Sequence, residues 1–178
     1  MRFEGLADQS CSISRSLVLL GDRWTLAIVK QAFARTRRFE EFLAALGISR
    51  ALLSDRLNRL VRAGALERVP YESNRLRHEY RLTEAGLALY PILQALRAWG
   101  DEHLAPEGAP LRYRHRGCRG EATVAVTCSK CRAPLSARDV EVHPGPGLVA
   151  PRGRSMKAVS STRSTIRQPA GVRSSRST

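Results

Sequence analysis

Four cysteines and four histidines carry most of the reactive chemistry in this sequence of 178 residues. His115-Arg116-Gly117-Cys118 and Cys128-Ser129-Lys130-Cys131 are each a pair of metal-ligand side chains separated by two residues. That spacing brings both donors of a pair to one ion. Three thiolates and one imidazole suit a tetrahedral structural zinc ion. Such an ion can fold a segment too poor in apolar residues to hold itself together. Only one half is a true Cys-x-x-Cys, so two other readings stay open: a redox dithiol at Cys128 and Cys131, or plain surface side chains with His115 in a basic loop. Zinc catalysis is disfavoured, because four protein ligands leave no open position.

Cys11 stands alone at the start of an apolar-periodic run. Unpaired N–H groups at a helix start, with Arg15 one turn on, favour thiolate over thiol. A thiolate attacks electrophiles and oxidises readily, which makes Cys11 the candidate redox sensor. The alternative is a small buried hydrophobe. No nucleophile–base–orienter grouping and no phosphate-cradling glycine loop is present, and His78, His103, His115 and His143 are scattered. The sequence gives an enzyme nothing to work with.

The third constellation reads DNA. Ser49 caps a helical stretch that ends at Gly64 and carries Leu53, Leu57 and Leu60 on one face. At 100° per residue, Ala51, Ser54, Asp55 and Asn58 point the other way, flanked by Leu52 and Arg59. Ser49 and Arg50 sit at the N-terminus, the end of a reading helix that enters the major groove. Small residues allow close approach, and Arg50 could reach a guanine edge or a phosphate. Arg56 lies near the buried edge, placed to brace the motif or extend to phosphate. Asp55 should face a base or a neighbouring arginine. Arg37 and Arg38 open the preceding helix, where N–H groups and positive charge favour a phosphate. Arg75, Arg77 and His78 sit at the tip of a ribbon, suited to the backbone or minor groove. The narrow RNA major groove would not admit such a helix, so duplex DNA is the expected partner. No cofactor is needed for that contact.

These side chains need a scaffold of short helices and one ribbon. Ile13, Leu17 and Leu20 predict a helix over 12–20 that ends at Gly21. Asp22 caps the next, with Trp24, Leu26, Ile28, Val29, Ala32 and Phe33, apolar on more than one side and so the buried centre. Thr36 caps a short helix with Phe39, Phe42, Leu43 and Leu46, and Gly47 takes the left-handed position after it. Leu66 and Val69 begin one strand, Tyr80 and Leu82 belong to another, and Glu72-Ser73-Asn74-Arg75 turns between them. Thr83 caps a long helix over 84–103, bent by Pro91, with Leu87, Tyr90, Leu93, Leu96 and Trp99 as its stripe. The predicted fold is mainly α with a small β-wing, a winged helix-turn-helix. A domain this small cannot bury every apolar side chain alone. Leu93, Leu96 and Trp99, with Leu17, form the expected seam of a homodimer, its reading helices about 34 Å apart.

Charge and composition divide the chain into three. Residues 1–104, the regulator domain, hold sixteen Lys/Arg against twelve Asp/Glu. Residues 105–148 form a small Cys/His-containing appendage, zinc-ribbon-like, with 122–127 its best strand. Residues 149–178 hold seven Lys/Arg and no acid, half of the net charge of +14. Rich in serine and threonine and without apolar periodicity, that tail is expected to be disordered: a dispensable extension or a salt-sensitive arm on DNA. No run approaches the ~18 apolar residues of a membrane span, and no signal peptide opens the chain, so a cytoplasmic protein is expected.

Gly21-Asp22-Arg23-Trp24-Thr25, Arg38-Phe39-Glu40-Glu41-Phe42, Leu53-Ser54-Asp55-Arg56-Leu57, Ala63-Gly64-Ala65-Leu66-Glu67-Arg68 and Glu79-Tyr80-Arg81-Leu82-Thr83-Glu84-Ala85-Gly86, with Trp99-Gly100, follow one another in order. Over residues 11–104 this pattern resembles the HxlR-type family of bacterial regulators. The resemblance implies a MarR-like homodimer on pseudo-palindromic operator DNA that represses or activates nearby genes, in many members in answer to electrophiles, aldehydes or oxidants, and often with a regulatory cysteine placed as Cys11 is. A repressor of this kind is the leading expectation. The alternative is a regulator without a cysteine switch, controlled by a small-molecule ligand or by its own abundance. One departure is visible: relatives often carry a proline before the second strand, where this chain has Ser73-Asn74-Arg75-Leu76.

Overall fold

The computed structural model describes residues 11–71 and 77–148. The chain begins with α1 (Ser12–Leu20), closed by Gly21, whose N–H donates to the Leu17 carbonyl at 2.8 Å. Asp22 then turns the chain. Its carboxylate accepts the N–H groups of Trp24 and Thr25 at 3.0 and 3.1 Å, leading into α2 (Thr25–Phe33). Ile28 and Val29 are fully buried, as a helix apolar on several sides requires. Trp24 precedes that helix and is only half-buried.

The cap of α3 (Phe39–Leu46) differs from expectation. Thr36 lies against Gln31, 3.4 Å away, while the Glu41 carboxylate accepts the N–H groups of Arg37 and Arg38, both at 3.0 Å. Gly47 ends α3 at φ +62, a left-handed conformation that glycine adopts without steric cost. Ser49 accepts the Leu52 N–H at 3.3 Å and starts α4 (Arg50–Arg62). Leu53, Leu57 and Leu60 are fully buried, each contributing about 1.5–3 kcal/mol. With Phe42, Ile28, Val29, Ala65 and Leu66 they form the core on which the first four helices meet.

β1 (Leu66–Pro70) pairs antiparallel with β2 (His78–Leu82), from Leu66 opposite Leu82 to Pro70 opposite His78. The loop before α3 is stitched to this ribbon. Tyr80 N–H donates to the Arg37 carbonyl at 2.8 Å, and Arg38 bridges to Glu79. The single long helix expected after Thr83 is two: α5 (Glu84–Leu87) and α6 (Tyr90–His103). Pro91 sits in the first turn of α6, where its missing N–H costs nothing, so it starts a helix instead of bending one. Leu93 packs on the core, whereas Leu96 and Trp99 stay exposed. The described fold is thus mainly helical with a small two-stranded antiparallel sheet.

Beyond α6 the chain runs through two tight turns with bridges Arg114–Glu121 and Thr127–Pro134. The strand expected over 122–127 does not form; that stretch links the two turns. A separate unit, Pro144–Thr178, is described only over residues 144–148, where Leu148 N–H donates to the Gly145 carbonyl at 3.0 Å. Among the described residues no helix is long and apolar enough to cross a membrane.

Candidate nucleic-acid interface

α4 turns one face inward and leaves Ser49, Arg50, Ala51, Ser54 and Asp55 exposed, with Asn58 half-buried beside them. Ser49 serves as the cap, so its role is to fix where the helix begins. Arg50 is engaged: its Nη1 and Nη2 donate to the Glu40 carboxylate at 2.9 and 2.6 Å, and its guanidinium lies 5.1 Å from the Phe39 ring. Those hydrogen bonds hold the Glu40 carboxyl below its ordinary range. α3 therefore presents Arg50 in a defined place at the front of α4.

Arg59 is a correction to the sequence reading. It does not flank the outward face; its Nη2 donates to the Val18 carbonyl at 2.7 Å and its Nη1 lies 3.9 Å from Asp22. The end of α1 offers an acceptor and Asp22 a charge, and together they draw Arg59 back. Arg56 makes the same turn, donating from Nε to Asp22 at 3.0 Å, and also pairs with Asp55. Partial burial pushes the Asp22 carboxyl up. Thr25, Trp24 and Arg56 donate to it and outweigh that effect, so the net direction is down. Arg56 and Arg59 thereby lock α4 onto the α1–α2 corner.

A second correction concerns the N-terminus of α3. The N–H groups of Arg37 and Arg38 are taken by Glu41, so they are not open to a phosphate. The side chains remain at that end: Arg37 lies 3.8 Å from Glu79, and Arg38 is exposed with its guanidinium 4.6 Å from the Tyr71 ring. At the wing, Arg77 is exposed and His78 is half-buried at the start of β2. Arg75 lies outside the described residues, as do the arginines of the tail.

The sequence reading missed Arg68. It is exposed on β1, donates to the Asn58 side-chain oxygen and lies 5.8 Å from the Tyr80 ring. Alternation along the strand was the available signal, because it puts Arg68 on the side of Leu66, toward α4. Asn58 and Arg68 together join the reading helix to the ribbon.

Cys11 is the N-cap of α1 and is exposed. Its thiol is held below the ordinary range, chiefly by the Ser14 N–H, then by the Ser14 hydroxyl and the Ile13 N–H, the helix-start groups expected to do so, while Arg15 contributes least of these. The other cysteines and His115 stand in two pairs. His115 Nδ1 lies 3.3 Å from Cys118 Sγ, and Cys128 is hydrogen-bonded to Cys131. Among the described residues no three His, Cys, Asp or Glu side chains are gathered around one point as ligands, so the four expected donors are not drawn together.

Comparison with known proteins agrees with this geometry. The pattern of the HxlR-like helix-turn-helix family matches residues 19–108. The chain is 47% identical over 150 residues to Rv3095, an uncharacterized HTH-type transcriptional regulator of Mycobacterium tuberculosis, covering 84% of this chain and 92% of the relative. It is 37% identical over 93 residues to YvaP of Bacillus subtilis, another HTH-type regulator, covering 52% of this chain and 86% of the relative. Among solved structures, PA1607, described as a candidate transcription factor, superposes with a TM-score of 0.72 at 36% identity, covering 79% of this chain and 99% of its own. The family and these relatives are regulators of transcription and not enzymes. The chain belongs to the HxlR-like helix-turn-helix family of DNA-binding transcriptional regulators.

Proposed function

We propose that the protein is a homodimeric repressor that lays α4 in the major groove of a pseudo-palindromic operator and releases it when Cys11 is modified. The observation that carries the DNA-reading part is the front of α4: a small-residue face (Ser49, Ala51, Ser54) with Arg50 projecting from its first turn. Small side chains let the helix approach base edges, and a guanidinium fork matches the O6 and N7 of guanine. Arg68 lies beside that face at Asn58, and Arg37 and Arg38 at the start of α3, with Arg77 and His78 on the wing, suit phosphates.

Two-fold pairing is supported by apolar side chains that the single chain leaves in water. Ile13 and Leu17 on α1, and Leu96 and Trp99 on α6, are all exposed. Exposed apolar area of this kind marks an interaction surface. Cys11 lies at the head of the same α1. A bulky adduct or a disulfide there would disturb the pairing and hence the spacing of the two reading helices. A regulator answering to a small ligand, with no cysteine switch, is the competing reading.

The test compares operator and random duplex. Arg50→Ala lowers operator affinity by about tenfold or more, as expected for loss of one base-reading fork, and lowers affinity for random DNA far less. Equal losses on both duplexes would reduce Arg50 to a phosphate contact and remove the base-reading role of α4.

A further inference from the structure

The two turns after α6 are copies of one another. In the first, His115 N–H donates to the Gly120 carbonyl at 2.8 Å, Arg119 N–H to the His115 carbonyl at 2.8 Å, and Ala122 N–H to the Tyr113 carbonyl at 2.8 Å. In the second, Cys128, Arg132 and Leu135 repeat those bonds to Ala133, Cys128 and Val126 at 2.9, 3.0 and 2.8 Å. Each turn ends on a non-glycine residue in the left-handed region, Arg119 at φ +60 and Arg132 at φ +61. The candidate ligands occupy equivalent places: His115 matches Cys128 and Cys118 matches Cys131.

This regularity has no core beneath it. Within residues 105–143 no described residue is buried, and Val126 and Val142 are 66% and 95% exposed. Left-handed arginines are strained, so the segment adopts an unfavourable backbone twice with little apolar burial to offset it. A bound metal ion would supply what is missing. The donor spacing within a turn is suited to one: His115 Nδ1 and Cys118 Sγ lie 3.3 Å apart, close to the ~3.6 Å edge of a tetrahedron with zinc–nitrogen and zinc–sulfur bonds of usual length.

We propose that the two turns are the halves of one structural zinc site, with His115, Cys118, Cys128 and Cys131 as its four ligands. The pairs stand apart in this structure, and the ion is what joins them. On binding, Zn2+ replaces the thiol protons of the three cysteines, which are released to solvent, and takes a neutral nitrogen of His115. Arg112, Arg114, Arg116, Arg119, Lys130 and Arg132 offset the net negative charge of three thiolates on a divalent ion. The site is coupled to the regulator domain through Arg97 of α6, whose Nη2 donates to the Ala122 carbonyl at 3.0 Å and whose guanidinium lies 5.0 Å from the Tyr113 ring. The match to the mycobacterial relative spans 150 residues, more than the chain holds up to residue 108, so part of this region is shared with it.

The experiment uses the untagged full chain prepared without chelator. Elemental analysis is expected to give about one zinc per chain, the stoichiometry of a single four-ligand site. Cobalt exchanged for zinc should show thiolate-to-metal charge transfer and the intense visible bands of tetrahedral coordination. Cys118→Ser and Cys131→Ser should each weaken cobalt binding by tenfold or more while helical circular dichroism of the regulator domain persists. EDTA should speed tryptic cleavage between residues 112 and 132. Metal-free protein overturns the proposal whether or not that protein binds DNA. So does an octahedral cobalt spectrum, or full metal content in both serine variants.

Discussion

Glu40 on α3 grips Arg50 on α4 through two parallel hydrogen bonds of 2.9 and 2.6 Å, and both side chains remain two-thirds exposed. An ion pair so open to water is weak and screened by salt, so DNA can take the guanidinium from it. In the proposed complex the pair also sets a carboxylate next to the path of the phosphates. On that reading Glu40 is a placeholder: it orients Arg50 and would repel a polyanion that does not satisfy Arg50 in return.

Replacing that carboxylate should therefore loosen discrimination. In Glu40→Gln, affinity for random duplex rises by about two- to tenfold, and its dependence on salt steepens, because one more cation is free to displace counterions. Operator affinity rises less. Fluorescence anisotropy across a salt series measures both; a fall in random-duplex affinity would show that Glu40 aids binding instead of restraining it.

Asp22 governs how the fold responds to acid. Its carboxyl is held below the ordinary value in the folded chain, whereas in the unfolded chain it titrates near pH ~3.9. A depressed folded value gives stability that is fully present above the unfolded pKa and is lost as pH falls through the folded one. The stability difference between wild type and Asp22→Asn is accordingly largest near neutrality and shrinks below pH ~4. Urea denaturation at stepped pH measures it, and a difference that stays constant with pH would detach Asp22 from acid sensitivity.

Gly86 is fixed by a close approach that no local pattern announces. A Cβ on Gly86 would lie 2.1 Å from the Ala65 carbonyl oxygen and 2.9 Å from a Leu82 methyl. The first of these is backbone and cannot swing aside. Gly86→Ala should destabilise the domain by about 1–3 kcal/mol through overpacking, read as a lower denaturation midpoint with an unchanged slope. Stability equal to wild type would mean that β1 and α5 separate at little cost.

What was legible in the sequence was what neighbours in sequence decide. Ser49 as cap, Gly47 in the left-handed region and the inward leucines 53, 57 and 60 follow from capping chemistry and helical period alone. Residues answering to distant partners were misread. Arg59 has the right angle to face outward, yet Val18 and Asp22, remote in sequence, draw it inward. Pro91 reads as a kink until the break at residues 88–89 puts it in a first turn. Thr36 is as good a cap by type as Ser49, but Glu41 reaches the N–H groups of Arg37 and Arg38.

Cys11 should be the site where oxidants act on DNA binding. It is exposed, caps α1, and its thiol is biased toward thiolate by the Ser14 N–H and hydroxyl. Thiolate character and access together set susceptibility to oxidation. Cys11→Ser is expected to bind operator as wild type does and to keep binding after diamide or quinone treatment that releases wild type. Release of the variant at the wild-type dose would move the sensing thiol elsewhere, with Cys128 next in line because its thiol is also held low, first by the Cys131 N–H.

Trp99 offers the sharpest test of pairing. It is 56% exposed on α6, its ring 5.2 Å from that of His103, while Leu96 one turn earlier is 50% exposed. Large apolar side chains left in water on a terminal helix, beside a core already closed by Leu93, are what a partner subunit would cover. Trp99→Asp puts a charge into that surface without touching the buried leucines of α4. The variant should sediment as a monomer at concentrations where wild type is a dimer, with helical circular dichroism unchanged. It should also lose most of its advantage for a two-half-site operator over a single half-site, because linked half-sites raise affinity only when one particle grips both. A variant that remains dimeric with intact operator preference would place the seam away from this face of α6.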